Sequence, residues 1–370
     1  MRYFFSTGEP SGELVAVTVA HAIAKNDSKA RFEGIGAQRM RQASFELYAD
    51  HSGWASMGPL AAIPRIPKLL TTMWRLARDL AANPPDLLVL VDFGAFNVRL
   101  AAELREKHHY LGAILYIFPP GAWLDRQTQA RRVASLCTVC PGYAHQADFY
   151  ASLGLTTLFF GHPLVGQYAL RPARSKPNNV AGSVAVLPGS RKAEVRAHMP
   201  RLLGAVQILR QHRPELRVMI SAANRETRRE IERAIQRSSL ANIGICDGSK
   251  DALEVADAAW IASGTAVLEA TLLGVPSVVI YVLSPLLVRH ARRVYRGRFI
   301  ALPNLMLGRE VIPELLQDDA TPQALCAAME RLLCDPDRMR SDMRELHVIL
   351  GDVDAAQRIA LAAVELARTT

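Results

Sequence analysis

Short, continuous apolar runs alternate with helical patterns along this chain, and this alternation constrains its fold more than any other feature. Leu87–Val91 (LLVLV) contains no polar residue, as expected of a strand that is covered on both faces. Further strands are predicted at residues 1–6, 113–118, 133–139, 157–161, 183–187, 218–222, 242–246, 258–262 and 276–282. Helical patterns between these runs give a βα rhythm. The rhythm predicts an α/β fold of doubly wound parallel sheets.

The length of 370 residues indicates two domains rather than one. Residues 170–181 (LRPARSKPNNVA) are rich in proline, asparagine and charge, which predicts an interdomain linker. We therefore expect an N-terminal domain over 1–169, a second domain over 182–345 and a C-terminal helix over 346–370. Two such Rossmann-like domains would face a central cleft, with ligands beyond the carboxyl ends of the strands.

The charge balance favours anionic partners. The formal net charge is +9, and the chain has no zinc-finger spacing, RNA-recognition motif or basic tail, so nucleic acid is not an expected partner. Phosphorylated substrates and an anionic membrane surface both remain compatible with this charge. Five cysteines fit a reducing cytoplasm, and the Cys137–Cys140 pair lies in an apolar run, so no metal site is predicted.

Two short turns in the second half of the chain predict a diphosphate site. Ser190 and Arg191 end the stretch LPGSR, and Ser263-Gly264-Thr265 follows the apolar run at 258–262. Backbone N–H groups at a helix N-terminus, beside small residues, form an anion site. Glu269 lies one turn further on, where it can accept hydrogen bonds from sugar hydroxyls. Either turn alone is also consistent with simple helix capping.

The turn after the first predicted strand, STGEPSGE, occupies the position of a dinucleotide loop but lacks the GxGxxG pattern. Its acidic residues suit hydroxyl groups better than phosphate. Glu9 is therefore a candidate catalytic residue. Ser11, which can cap the following helix, and Gly12 are candidate substrate-binding residues. A plain βα turn is the alternative.

Other polar residues also stand where strands end. Asp92, a candidate base, and Asn97, a candidate hydroxyl contact or helix cap, follow Leu87–Val91. His162 precedes the predicted linker and is a further catalytic candidate. Asn304 is a candidate contact for the nucleobase or the sugar of a bound nucleotide sugar. Residues 57–78 combine an apolar helical face with cationic ends, which suits either a core helix or a lipid-facing groove.

Nine motifs occur in the order and at the spacing of bacterial lipid-A-disaccharide synthases, which this chain resembles from about residue 3 to residue 368. They are STGEPSGE, VDFGAFN, PPGAW, GHPL, LPGSRKAEV, SGTAVLEA, YVLSPL, LPNLMLGRE and PELLQ. The resemblance implies a GT-B glycosyltransferase that joins UDP-2,3-diacylglucosamine to 2,3-diacylglucosamine 1-phosphate and releases UDP with inversion. It implies no metal and no cofactor, and work at the inner face of the cytoplasmic membrane. A homodimer is left open.

The resemblance also implies roles for individual residues. Donor-side residues would contact the UDP-sugar through the diphosphate, the ribose or the donor pocket: Ser190, Arg191, Ser263, Gly264, Thr265, Glu269 and Asn304. Glu9 would lie near one of the two sugars, and residues 57–78 would form the acyl-chain and membrane patch.

One motif departs from the family pattern at a chemically decisive position. The family motif D-x-P-D-F-N carries the proposed general base at its second aspartate, which is Ala95 here. A methyl group cannot accept a proton, so Asp92, Asp125 and His162 are the replacement candidates. A related GT-B transferase with another acceptor, a non-catalytic paralogue and a UDP-GlcNAc epimerase are the alternative functions.

Overall fold

The computed structural model describes residues 1–51, 54, 66–120, 126–168, 182–284, 288–289, 298–351 and 353–369. Its contacts divide the chain into two compact units. The first unit is Met1–Gln167 together with Ile349–Thr370, and the second is Tyr168–Val348. The predicted linker at 170–181 lies outside the described residues.

The first unit is built on a six-stranded parallel sheet with the order β3-β2-β1-β4-β5-β6. The strands are β1 (Arg2–Ser6), β2 (Arg31–Gly36), β3 (Glu46–Asp50), β4 (Leu87–Val91), β5 (Ile114–Ile117) and β6 (Thr138–Cys140). Its helices are α1 (Pro10–Asn26), α2 (Gln38–Gln42), α3 (Ile66–Ala82), α4 (Gly94–Ala102), α5 (Gln127–Leu136) and α6 (Ala144–Ser152). A π-helical turn (Glu103–Lys107) follows α4, and a 3₁₀ turn covers Val165–Gln167.

The second unit repeats this plan with the order β9-β8-β7-β10-β11-β12. Its strands are β7 (Ser183–Leu187), β8 (Arg217–Ala222), β9 (Ile243–Asp247), β10 (Ala258–Ala262), β11 (Ser277–Tyr281) and β12 (Glu314–Leu316). Its helices are α7 (Lys192–His212), α8 (Arg225–Ser238), α9 (Ser249–Val255), α10 (Thr265–Leu272), α11 (Leu302–Leu307), α12 (Pro322–Cys334) and α13 (Asp337–Leu350). The last helix, α14 (Ala355–Arg368), belongs to the first unit and packs there against α1.

Both sheets reverse their strand order at a switch point beside their first strand. In the first unit β1 pairs with β4, and Ser6 lies opposite Leu90. In the second unit β7 pairs with β10, and Leu187 lies opposite Ile261. Ligands of open α/β sheets bind beyond the carboxyl ends of the strands at such points. The predicted site turns follow these four strands.

The α/β class with two doubly wound parallel sheets is confirmed, because the apolar runs at both sheet centres are fully buried. Two strand predictions were wrong. Residues 133–136 belong to α5, so only Thr138–Cys140 remains extended in a ladder, and residues 157–161 form no strand, although the Leu158 N–H donates to the Val139 carbonyl of β6 at 2.8 Å. Apolar runs of this length fit either a strand or a buried helix turn, and tertiary packing decides. Within the described ranges, no helix is long and apolar enough to cross a membrane.

Candidate active site

Loops from three neighbouring strands touch one another at the switch point of the first unit. A Cβ on Gly8, after β1, would lie 2.2 Å from the ring of Phe93, after β4. Likewise, a Cβ on Gly94 would lie 2.7 Å from the ring of Pro120, after β5. Only glycine at both positions lets these loops approach so closely. The Phe93 ring is also stacked on Trp54, with centroids 6.2 Å apart.

Asp92 stands at the centre of these loops in an uncommon backbone conformation. Asp92 and Phe93 both have positive φ, at 48° and 50°. The main-chain carbonyl of Asp92 accepts hydrogen bonds from the Tyr116 hydroxyl at 2.9 Å and from Asn97 Nδ2 at 2.8 Å. These bonds hold the β4–α4 corner. Residues in such conformations cluster at functional sites, where the surroundings enforce them.

The carboxyl group of Asp92 has the proton affinity of a weak base. Its side chain reaches solvent, yet many protein atoms surround it. Desolvation, together with the negative charge of Glu9, raises the pKa of Asp92 from 3.8 to about 6. A carboxylate with this pKa is ionised at neutral pH and takes up a proton more readily than an ordinary aspartate. Ala95, in the first turn of α4, is exposed.

The other first-unit candidates have different environments. Asn97 is completely buried: its Oδ1 accepts a 2.6 Å bond from the Ser6 hydroxyl, and its Nδ2 donates to backbone carbonyls. A ligand contact would require one of these bonds to break, so Asn97 joins strand ends instead of facing a substrate. Glu9 is the N-cap residue of α1, which places Ser11 inside the first turn and not at the predicted cap position. Gly12 is buried beside Thr7.

The structure does not support His162 as a base. The residue is buried, its ring stacks on Phe118 at 4.9 Å, and its Nδ1 accepts a 3.3 Å hydrogen bond from the Leu164 N–H. Burial lowers the pKa of the imidazole to about 3. A neutral ring with so low a pKa takes almost no protons at neutral pH, so His162 closes the loops beyond β5 and β6 as a packed aromatic residue.

In the second unit, the turn after β7 is built around a buried carboxylate. Glu194 Oε2 accepts the backbone N–H groups of Ser190 at 3.0 Å and Arg191 at 3.2 Å, and Oε1 accepts the Arg191 guanidinium at 3.0 Å. Gly189 has φ 121°, and a Cβ there would lie 2.6 Å from Glu194 Oε2. The N–H groups that sequence reasoning reserved for phosphate therefore bind a protein carboxylate. The Ser190 hydroxyl and the Arg191 side chain remain as the groups that can reach an anion.

His198 holds the turn after β7 through the hydrogen bonds of its ring. It is completely buried in α7; its Nδ1 lies 2.7 Å from the Pro188 carbonyl, and its Nε2 accepts the Val282 N–H at 3.0 Å. The Nε2 acceptor role requires Nδ1 to carry the proton and donate to Pro188. This neutral imidazole joins the ends of β7 and β11. Burial lowers the pKa of His198, which preserves that state.

The turn after β10 exposes the start of α10. Gly264 is the N-cap residue, and a Cβ there would meet open space. Ser263 and Thr265 on either side are half-buried. Glu269 is buried one turn further along α10 and accepts a hydrogen bond from the Ser249 hydroxyl at the start of α9. The first turn of α10 thus presents backbone N–H groups to solvent beside a carboxylate that is already oriented.

The structure gives Asn304 a structural role and not the predicted ligand contact. The residue is completely buried in α11, where its Oδ1 accepts the N–H groups of Val311 at 2.8 Å and Ile312 at 2.9 Å. Its Nδ2 donates to the Ile312 carbonyl at 2.7 Å and to Glu314 Oε1 at 2.8 Å. The amide therefore has no hydrogen-bonding capacity left for a base or a sugar.

Sequence reasoning missed several residues that hydrogen-bond to the candidate residues or to their turns: Tyr116, Glu194, His198, Ser249 and Glu314. Glu194 lies in the first turn of α7, where an acidic side chain commonly accepts the free N–H groups of a helix start, and this position could have identified it. No local signal identifies the others, because their partners are distant in sequence. Asp125, Trp123 and residues 57–65 lie outside the described residues. No cluster of three metal-ligating side chains occurs within the part of the chain that is described.

Comparison with known proteins gives a consistent result. A family model described as lipid-A-disaccharide synthetase matches residues 3–360. Lipid-A-disaccharide synthase of Azotobacter vinelandii is 34% identical over 377 residues, covering 99% of this chain and 98% of that protein. The enzyme of the same name from Geobacter sulfurreducens is 31% identical over 380 residues, covering 99% of this chain and 97% of that one.

Solved structures share the fold at low identity. UDP-GlcNAc 2-epimerase of Neisseria meningitidis, bound to UDP-GlcNAc, has a TM-score of 0.63 and 12% identity, with 99% of this chain and all of that chain covered. The calicheamicin glycosyltransferase CalG4 has a TM-score of 0.59 and 15% identity, with 100% of this chain and 98% of that chain covered. The GT-B fold class that the sequence indicated is therefore confirmed.

Proposed function

Because this chain belongs to the lipid-A-disaccharide synthetase family, we propose that it transfers diacylglucosamine from UDP-2,3-diacylglucosamine to 2,3-diacylglucosamine 1-phosphate. The products are the disaccharide 1-phosphate and UDP. The observation that carries this assignment beyond family membership is the position of Asp92, whose loop at the switch point is held by Asn97 and Tyr116, where the usual family base is replaced by Ala95.

The second unit would hold the donor. Its α10 start, at the exposed Gly264 and the half-buried Thr265, suits the diphosphate, and the Arg191 guanidinium, ion-paired with Glu194 at 3.0 Å, would donate a hydrogen bond to departing UDP. Glu269, oriented by Ser249, would accept hydrogen bonds from the ribose hydroxyls. Structures with this fold that contain UDP or UDP-GlcNAc support a nucleotide-sugar donor.

Asp92 would act as the general base. Its carboxylate takes the proton of the attacking acceptor hydroxyl while that oxygen forms a bond to the anomeric carbon of the donor. The bond from that carbon to the diphosphate oxygen breaks at the same time, and its electron pair leaves with UDP. One displacement on the face opposite the leaving group inverts the anomeric configuration. No residue of this chain needs to form a covalent intermediate.

The surface of α3 suits the acylated acceptor. Trp74 is 50% exposed, and a groove of about 270 Å³ separates α3 from α4. Its lining combines apolar Leu70, Met73 and Val98 with the charged residues Arg99, Arg132, Glu103 and Glu106, and Arg132 is ion-paired with Glu106 at 3.1 Å. The apolar wall suits an acyl chain. We place the enzyme at the inner face of the cytoplasmic membrane, where such lipids are accessible.

A direct assay tests the proposal. Purified protein is incubated with UDP-2,3-diacylglucosamine and 2,3-diacylglucosamine 1-phosphate. UDP release is measured over time, and the lipid product is identified by mass spectrometry. We expect stoichiometric UDP and disaccharide 1-phosphate, and loss of both in Asp92→Asn. UDP binding without a disaccharide, or release of a free sugar epimer in the absence of acceptor, would contradict the assignment.

A further inference from the structure

The buried hydroxyl of Tyr116 makes a single hydrogen bond among the described residues. Tyr116 lies in β5 with no exposed surface, and its hydroxyl donates to the Asp92 carbonyl at 2.9 Å. This bond reaches from one strand to the loop that follows its neighbour. We propose that Tyr116 is a positioning residue that fixes the direction of the Asp92 carboxylate through the main chain. The inference rests on the proposed function, in which Asp92 is the base.

The backbone at Asp92 needs external support. Asp92 and the bulky Phe93 both adopt the left-handed region, which non-glycine residues rarely occupy, and for an aromatic residue it is a true outlier. Hydrogen bonds to the carbonyl between them favour this conformation over the ordinary one. The direction of the Asp92 side chain follows from its φ, so a relaxed corner would point the carboxylate elsewhere.

Two groups hold this carbonyl, and they differ in what else they do. The Asn97 amide also binds Ser6 and Val91, so its removal would loosen several loops at once. Within the described part of the chain, the Tyr116 hydroxyl binds only the Asp92 carbonyl. Replacing Tyr116 by phenylalanine therefore deletes one bond, while the ring continues to fill the core.

The electrostatic surroundings of the carboxylate are consistent with this arrangement. Glu9 contributes the negative charge that favours the protonated form of Asp92. The Asp92 charge in turn helps to raise the pKa of both Tyr116 and Tyr143, although desolvation is the larger cause for each. Tyr116 therefore stays protonated and remains a donor at every pH at which the base titrates.

Tyr150 provides a matched control. Its hydroxyl is buried in the same unit and has no hydrogen-bond partner among the described residues. Tyr150→Phe removes a buried hydroxyl without touching Asp92. Ile114→Val, in β5 itself, is a second control that destabilises the same strand without altering the loop.

The experiment compares the wild type, Tyr116→Phe, Tyr150→Phe and Ile114→Val in two measurements. In the disaccharide assay, we expect Tyr116→Phe to lower kcat about tenfold with KM for the donor nearly unchanged, and both controls to stay within about twofold of wild type. In ¹³C-carboxyl titrations of Asp-labelled protein, with Asp92→Asn identifying the signal, the pKa of Asp92 moves in Tyr116→Phe alone.

Melting temperatures separate positioning from stability. If Tyr116→Phe loses stability as Ile114→Val does but keeps the wild-type kcat and the wild-type Asp92 titration, Tyr116 is merely structural and the proposal is overturned. If the wild type forms no disaccharide, the proposed function fails. The titration then still decides whether Tyr116 controls the Asp92 carboxyl, because it requires no turnover.

Discussion

Titration of Asp92 gives the sharpest prediction for the proposed reaction. The base must be ionised to accept a proton, and the pKa of Asp92 is about 6. From this value, about a tenth of the molecules carry the carboxylate at pH 5 and about nine tenths at pH 7. We therefore expect kcat to rise about tenfold between these pH values and to level off above pH 7. The pKa of the controlling group is read from the pH at which the plot of log kcat against pH bends.

Two variants identify the group that produces this slope. Asp92→Asn has a similar volume but cannot accept the proton, so kcat should fall by about 10²–10⁴-fold and lose its dependence on pH near 6. Ala95→Asp restores a carboxylate at the usual family position, in the first turn of α4. If Asp92 already serves as the base, Ala95→Asp changes kcat by only a few fold.

Stability provides an independent measurement of the same titration. The pKa of Asp92 in the folded protein lies above its ordinary value of 3.8, so the folded state binds the proton more tightly than the unfolded state. The resulting stabilisation is fully present below about pH 4 and is lost as the pH rises through about 6. Asp92→Asn should remove this component, which makes the melting temperature less dependent on pH in that window.

Two results would refute this reasoning. A wild-type rate that does not change between pH 5 and pH 7 would show that no group with a pKa near 6 controls the chemical step. A rise of several orders of magnitude in Ala95→Asp would show that the native chain lacks a working base. The double variant Asp92→Asn with Ala95→Asp then indicates whether the two positions substitute for each other.

Three further predictions concern the second unit. Arg191→Ala should raise KM for the UDP-sugar about tenfold or more, whereas Arg191→Lys keeps the charge and recovers part of the loss; steady-state kinetics at varied donor concentration measures both. Ser249→Ala should raise the same KM about fivefold by releasing Glu269, while Ser238→Ala, on the surface of α8, leaves KM unchanged. Asn304→Ala leaves buried N–H groups unpaired and should lower the free energy of unfolding by about 3 kcal/mol in urea titration, and a change below about 1 kcal/mol would contradict its structural role.

Sequence alone determined the α/β class and which polar residues stand at the carboxyl ends of the strands. Continuous apolar runs such as Leu87–Val91 are compatible with few environments other than a strand covered on both faces. The residue after such a run must stand at a carboxyl end, so the positions of Asp92, Ser190 and Ser263 followed directly. Motif order then gave the family. All of these are local properties of the chain.

Only the tertiary structure decided what each polar side chain does. Asn97 and Asn304 are the same residue type as a ligand-binding amide, but Ser6 binds the first and the backbone N–H groups of Val311 and Ile312 bind the second. The Glu194 carboxylate accepts the N–H groups of Ser190 and Arg191, which the sequence assigned to phosphate. The proton affinity of Asp92 depends on the protein atoms around it and on the charge of Glu9, and that of His162 depends on burial. Where the partners come from distant segments, as for Asn97 with Ser6 and Asp92 with Tyr116, no local pattern encodes them.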